Sequence, residues 1–273
     1  MSEQIKVAIA GINGKMGRAS LGAVTRADGL NVVGAFGRAG AAYVGKSLAE
    51  VVPGLAAQEL NSVFVSDDIE GCLEAKPDVL LEFTRAESSM EHARLALARG
   101  IATIVGTSGL SASDFKELEE LCGKHGVSAM VVPNFSVGAV LMMEFARQAG
   151  AHFKNVEIVE MHGTKKLDAP SGTATYTASK LAEADHKFNP AEVEARELLQ
   201  GVRGGQTESG VRIHSLRLPG LISHQEVVFA APGEMLTIKH NSFNADCFEK
   251  GIVLSVRSVS KMSGFTLGLE SLL

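Results

Sequence analysis

Residues 5–18, IKVAIAGINGKMGR, decide how the first half of the chain folds. Residues 5–10 are apolar and rich in β-branched side chains, which predicts a strand, and residues 19–26 read as helix. Between them Gly11, Gly14 and Gly17 stand at GxxGxxG spacing. Small residues there allow a tight turn, approach of the backbone to a pyrophosphate, and close packing of helix on strand, with phosphate at the helix N-terminus. A glycine pattern alone is weak, since a merely tight turn also produces one. Here a second apolar run, residues 31–36, closes the unit, so the dinucleotide-binding reading outweighs the plain turn.

The same alternation continues. Apolar runs at 78–83, 101–105 and 127–132 are separated by helical patterns at 88–99 and 111–125, which predicts a parallel sheet covered on both faces. Ligands in such sheets bind beyond the carboxyl ends of the strands, so the turns there are candidate contacts. Gly106, Thr107 and Ser108 offer backbone and hydroxyl donors, and Pro133, Asn134 and Phe135 an amide and a flat ring. Either group faces a nicotinamide or is plain turn chemistry. At the end of the second strand, residues 35–42 (AFGRAGAA) hold no acid to bond ribose hydroxyls, and Arg38 stands there instead. A cation suits a 2′-phosphate, with Lys15 to assist, so NADPH fits better than NADH, which stays possible. Arg38 as an ordinary solvated charge is the plainer alternative.

The second half has a different rhythm. After a helical stretch at 138–150, alternating runs at 211–218, 225–230 and 235–240 follow one another directly, which predicts an α+β domain whose strands run next to one another. Residues 185–210 are polar, with a glycine-rich loop at 201–210, and 246–259 reads as a helix returning to the first domain. The expected division is 1–132 plus about 246–273 for a Rossmann-like dinucleotide-binding domain, and 133–245 for the second domain.

Within that second half, residues 160–174 (EMHGTKKLDAPSGTA) concentrate chemistry. His162 follows the apolar run Val156, Ile158, Val159 and Met161 at a strand end, and Lys165 and Lys166 bring positive charge. Pro170-Ser171-Gly172-Thr173 reads as a helix start, with Ser171 as cap and N–H groups able to hold an anion. A lone capping motif is usually only that, but the whole set points to a site that holds a carboxylate and hands over a proton.

Composition narrows the field. The chain has 273 residues, 45% hydrophobic, with a net charge of −5, so no basic field exists to attract nucleic acid. Cys72, Cys122 and Cys247 are widely spaced and form neither a disulfide framework nor a metal site. The N-terminus enters a strand with no signal-peptide pattern, and no apolar run approaches the roughly 20 residues that cross a bilayer, which predicts a cytoplasmic protein with no membrane partner.

These motifs together resemble the bacterial-type dihydrodipicolinate reductases. The resemblance runs nearly end to end: GxxGxMGR at 11–18, GTSG at 106–109, NFSVG at 134–138, and the highly specific HxxxKxDAPSGTA at 162–174. It implies a nucleotide-binding domain, a smaller α+β domain on a mixed open sheet that catalyses and tetramerises, and NAD(P)H-dependent reduction of the cyclic dihydrodipicolinate to tetrahydrodipicolinate in diaminopimelate and lysine biosynthesis. The implied partners are a small dicarboxylate and three further copies of the chain. By the resemblance, His162 donates or accepts a proton, Lys166 donates one, and Gly172 and Thr173 hold a substrate carboxylate. The cofactor falls to Gly11, Ile12, Asn13, Gly14, Lys15, Met16, Arg38, Gly106, Thr107, Ser108, Val132, Pro133, Asn134 and Phe135. Two positions depart from the family pattern. Its second histidine, a substrate contact, is Gly163 here, and the acid that many members carry after the second strand is Gly37. Lys165, or one of His214, His224 and His240, is a candidate to fill the first gap. Two other functions remain open: a same-fold reductase of another small substrate, and a nucleotide-binding regulator without turnover. The regulator needs neither His162 nor Lys166.

Overall fold

The structure, a computed structural model, describes residues 4–55, 58–190 and 196–273. The chain divides into two compact units, 1–137 with 248–273, and 138–247. Sequence reading put these boundaries at 132/133 and about 246; the glycine-rich part of the polar stretch is described, and residues 191–195 lie outside the described residues.

In unit 1 the chain runs β1 (Ile5–Ala10), α1 (Lys15–Arg26), β2 (Leu30–Phe36), α2 (Leu48–Val51), β3 (Val65–Ser66), α3 (Ile69–Leu73), β4 (Val79–Glu82), α4 (Ala86–Ala98), β5 (Ala102–Val105), α5 (Ala112–His125) and β6 (Ala129–Val131). The central strands read as unbroken apolar runs because both faces are covered: Val7, Ile9, Leu80, Leu81 and Ile104 are fully buried. Helix α5 starts where a capping box tells it to. Ser111 Oγ accepts the Asp114 N–H while Asp114 Oδ2 accepts the Ser111 N–H, and Gly126, at φ 65°, ends the helix.

Unit 2 contains α6 (Val137–Gly150), β7 (Asn155–His162), α7 (Gly172–Leu181), β8 (Gly205–Gln206), β9 (Arg212–Arg217), β10 (Ser223–Ala231) and β11 (Glu234–Ser242). The chain then returns to unit 1 as α8 (Glu249–Val259) and β12 (Phe265–Leu267).

The seven strands of unit 1 lie in the order β12-β6-β5-β4-β1-β2-β3, each pairing parallel. Strand order reverses between β1 and β4, which makes their carboxyl ends the switch point where ligands bind. Periodicity missed β3, β8 and β12, which have two or three residues each, too short to carry a pattern. It also started α1 four residues late, because Lys15 to Arg18 carry no apolar repeat and the helix there rests on the glycine turn.

The five-stranded sheet of unit 2 has the order β11-β10-β7-β9-β8, with β7 and β9 parallel and the other pairs antiparallel. Val156, Ile158, Val227 and Phe229 line one face, buried against Ala146 of α6 and Ala174, Ala178 and Leu181 of α7. The other face, with Val159, Met161 and Val228, is half-buried.

Candidate active site

The first candidate surface lies at the switch point of unit 1. A cavity of about 600 Å³ opens there, lined by Gly11, Asn13 and Gly14 after β1, by Gly37 and Arg38 after β2, and by Thr84, Arg85 and His92 beyond β4. The glycine loop has no room for side chains. Gly11 has φ +81°, and a Cβ on Gly17 would stand 2.2 Å from the Gly11 carbonyl oxygen, so α1 sits directly on the turn. The N–H groups of Gly11 and Ile12 both bond the Phe36 carbonyl, and that of Gly14 bonds Gly11. The first N–H groups of α1, at Lys15 and Met16, have no carbonyl within the helix and are able to donate to an anion. Ile12 itself is fully buried, so only its backbone serves the loop.

Arg38 is exposed on the cavity rim, its N–H donating to the Tyr43 hydroxyl at 3.2 Å. The Tyr43 ring also explains the missing acid. A Cβ on Gly37 would stand 2.3 Å from that ring, so any side chain there has to displace it. The Lys15 ammonium lies 5.5 Å from the centre of the Phe248 ring. Gly106 is pressed between Phe83 and Phe135, which meet edge to face at 5.6 Å. Phe135 and Val132 are buried, and the Asn134 side chain accepts the Ser136 N–H at 2.9 Å. Thr107 and Ser108 are more open, half-buried and exposed.

Behind this cavity is a pair that sequence reading missed. Glu82 ends β4 fully buried and bonds His92 Nδ1 at 2.8 Å and the Thr84 N–H at 2.6 Å. Nothing local marks it: an acid after three apolar residues looks like the end of a strand.

The second candidate surface is the end of β7 in unit 2. Glu160 and His162 alternate onto the face that packs against α7. Glu160 is fully buried and bonds His162 Nδ1 at 2.5 Å. Arg217, at the end of β9, grips the same carboxylate with both Nη atoms at 3.0 and 2.7 Å. Burial raises the Glu160 pKa, but the hydrogen bonds from Arg217, Ser215 and His162 outweigh it and hold the carboxyl below its ordinary value. His162 is pushed down by burial first; Glu160 opposes this, and Lys166 and Arg217 add to it.

Lys166 follows a turn in which its N–H bonds the Gly163 carbonyl. Its Nζ meets both oxygens of Asp168 at 2.8 and 2.9 Å. Ser171 caps α7 as read from sequence: its Oγ accepts the Ala174 N–H at 3.2 Å, while its own N–H donates to Glu160 at 3.2 Å. Gly172 and Thr173, the first residues of α7, stand exposed and half-buried beside this cluster. An imidazole whose pKa burial lowers, a lysine and a capped helix start thus share one sheet end, an arrangement able to bind a carboxylate and exchange protons.

Gly163 has a packing reason as well. A Cβ there would stand 2.9 Å from the Leu221 carbonyl oxygen, so a side chain requires the backbone to shift. Of the three histidines considered as substitutes, His214 and His224 lie on the other sheet face. The first bonds Glu157 at 2.8 Å and the second Asn241 at 2.9 Å. His240 shares the face of Glu160, through Gln225 between them, and its ring packs against Gly138. Lys165 is exposed. Among the described residues no cluster of histidine, cysteine or acids is arranged to hold a metal, and no helix is long and apolar enough to cross a membrane.

A doubly wound parallel sheet with a glycine loop at its switch point, in one chain with a proton-handling unit on a mixed sheet, defines a nicotinamide-dependent oxidoreductase. Comparison with known proteins narrows this. The family described as dihydrodipicolinate reductase, N-terminus, matches residues 5–135, and that described as dihydrodipicolinate reductase, C-terminus, matches residues 138–273. A 4-hydroxy-tetrahydrodipicolinate reductase of Synechococcus elongatus is 42% identical and covers 100% of both chains. Another, from Bacillus subtilis, is 40% identical over 100% of this chain and 99% of its own. Among solved structures, a dipicolinate-bound dihydrodipicolinate reductase from Paenisporosarcina superposes with a TM-score of 0.86 at 36% identity, covering 99% of this chain and 100% of that one. The chain belongs to the dihydrodipicolinate reductase family and is an NAD(P)H-dependent oxidoreductase.

Proposed function

We propose that this chain reduces the cyclic product of dihydrodipicolinate synthase, 4-hydroxy-tetrahydrodipicolinate, to tetrahydrodipicolinate on the route to diaminopimelate and lysine. The observation that carries the reading is in unit 2: Lys166, His162 and the capped start of α7 meet at one sheet end, in a chain alike over its whole length to reductases of that name. The full-length likeness favours this over a same-fold reductase of another substrate, and the two proton-handling side chains argue against a regulator.

The N–H groups of Gly172 and Thr173 hold one substrate carboxylate at the positive end of α7. When bound, the reduced nicotinamide supplies the hydride. The 4-hydroxyl of the substrate leaves as water to give the conjugated dihydrodipicolinate ring, and hydride addition to that ring leaves an enamine that takes up one proton. Lys166 donates it from Nζ, and His162 exchanges one at Nε2. In unit 1, the loop from Gly11 to Met16 binds the pyrophosphate, with Gly106 to Ser108 and Val132 to Phe135 forming the rest of the cofactor's contacts. Arg38 takes a 2′-phosphate, which makes NADPH the preferred cofactor and NADH the weaker one; the absence of an acid at Gly37 supports this. The half-buried outer face of the unit 2 sheet supports assembly as a homotetramer, which light scattering in solution tests directly.

The deciding experiment follows NADPH consumption at neutral pH with the substrate generated in place by its synthase, repeated with NADH. Rapid turnover is expected, faster at low concentration with NADPH. Cofactor binding without turnover would move the reading to another substrate.

A further inference from the structure

Glu160 is the most heavily engaged side chain of unit 2. It is fully buried, and its two oxygens receive bonds from three elements: Arg217 of β9, 57 residues on, His162 of its own strand, and the Ser171 N–H at the cap of α7. Arg217 reaches further, donating from Nη2 to the Asp168 carbonyl at 2.7 Å, within the loop that carries Lys166. One carboxylate and one guanidinium therefore connect both proton-handling side chains and the helix start.

We propose that Glu160 is a positioning residue, which fixes His162 in the tautomer carrying its proton on Nδ1, and that Arg217 sets how much of the Glu160 charge the imidazole feels. The proposal rests on the reading that His162 exchanges a proton in the reduction. An arginine is always protonated, and a carboxylate in its fork is ionised and accepts only. The hydrogen between Glu160 and His162 therefore belongs to Nδ1, which leaves Nε2 as the one ring atom that exchanges a proton. A buried carboxylate 2.5 Å away, by itself, would hold the ring as an imidazolium. Arg217 neutralises that carboxylate.

The groups facing His162 are few. Its own strand supplies Glu160; the following loop supplies Lys166, with Asp168 bonded to it; β9 supplies Arg217; β10 places uncharged Ser223 opposite; and His240 of β11 lies further along the same face. Burial, with the cations Lys166 and Arg217 added to it, outweighs the one buried anion and moves the His162 pKa downward. Burial and the two cations thus favour the neutral form of the ring.

The test uses the full chain labelled with ¹⁵N-histidine, with the His162 resonances assigned by their loss in His162→Gln. At neutral pH the wild-type ring is expected as the Nδ1–H tautomer; the Nε2–H tautomer would overturn the proposal. Two variants, checked for folding by NADPH binding, then move the His162 titration in opposite directions: Glu160→Gln downward and Arg217→Met upward, each by on the order of one pH unit. A purely structural role would leave the titration in place or move both variants the same way, and either result would refute the charge coupling. Where turnover is measurable, Glu160→Gln lowers kcat on the order of 10–100-fold with little change in KM. The tautomer of the wild-type chain needs neither variant to fold and no substrate. A wild-type enzyme inert towards dihydrodipicolinate would therefore sink the substrate reading alone, while the tautomer still decides this one.

Discussion

Lys166 is held by both oxygens of an exposed acid, Asp168, and the proposed proton transfer competes with that pair. An ion pair with an exposed carboxylate is weak enough to break for this purpose. Lys166→Ala should lower kcat on the order of 10²–10⁴-fold, the usual contribution of a positioned general acid, while the Kd for NADPH stays within about twofold. Parallel losses in turnover and cofactor affinity would show that the side chain is not a proton donor. At the other candidate surface, Arg38 is exposed, so its contribution is solvent-screened. Arg38→Ala should weaken NADPH binding by on the order of tenfold and NADH binding much less, as measured by fluorescence titration. An unchanged preference would remove Arg38 from the 2′-phosphate. Both residues stand inside recognisable local motifs. Glu160, Arg217, Glu82 and His92 do not, and each acquires its meaning from a partner distant in sequence.

The proposed anion binding falls on two helix starts, and they are built differently. The start of α7 is closed by a serine cap that also reaches back to the sheet through its N–H. Ser171→Ala should cost about 1 kcal/mol of stability and fray the turn holding Gly172 and Thr173. Dipicolinate, used as an inhibitor, should then bind more weakly, with NADPH affinity unaffected. Unaltered inhibition would mean that the helix start does not hold the carboxylate. The start of α1 has no side-chain cap and instead lies against its own turn, with Gly17 beside the Gly11 carbonyl. Gly17→Ala should push the helix off the turn, destabilise the chain by about 1–3 kcal/mol and lose NADPH binding. Wild-type affinity in that variant would show that the close approach is not needed. The element boundaries illustrate what local pattern can carry. Helices α4 and α5 were legible because one-sided burial imposes a period on them, and the central strands because burial on both faces leaves short unbroken apolar runs. Strands β3 and β12 were not, because they exist only as additions to the two edges of the parallel sheet.

At the scale of the whole molecule, the buried charges predict how stability follows pH. Glu160 titrates below its unfolded value in the native chain. Its contribution is therefore complete above the unfolded pKa and is lost as pH falls through the folded one. His162 is also lowered, so the native state resists protonation that the unfolded chain accepts, and stability starts to fall below the ordinary histidine value of 6.5. Both effects have the same sign. Urea midpoints should decline first below about pH 6.5 and again below about pH 4.5, and His162→Gln should shrink the upper step and leave the lower one, the rest of the upper step coming from His240, whose pKa burial also lowers. A midpoint flat across pH 5–7 in the wild-type chain would contradict this.

By itself the sequence determined what repeats locally: a strand, glycine turn and helix at residues 5–26, the alternation that makes a parallel sheet, the separate rhythm of the second unit, and the 162–174 motif. Such features are legible because hydrophobic period, capping and turn chemistry act over a few residues. Only the tertiary structure decided that Arg217 meets Glu160 across 57 residues, that Tyr43 fills the space beside Gly37, and that the Leu221 carbonyl closes the space beside Gly163. It also decided that β4 lies beside β1, which sets Glu82 behind the cofactor cavity. These are consequences of strand order and register, and a single sequence has no local signal for which distant strands will pair.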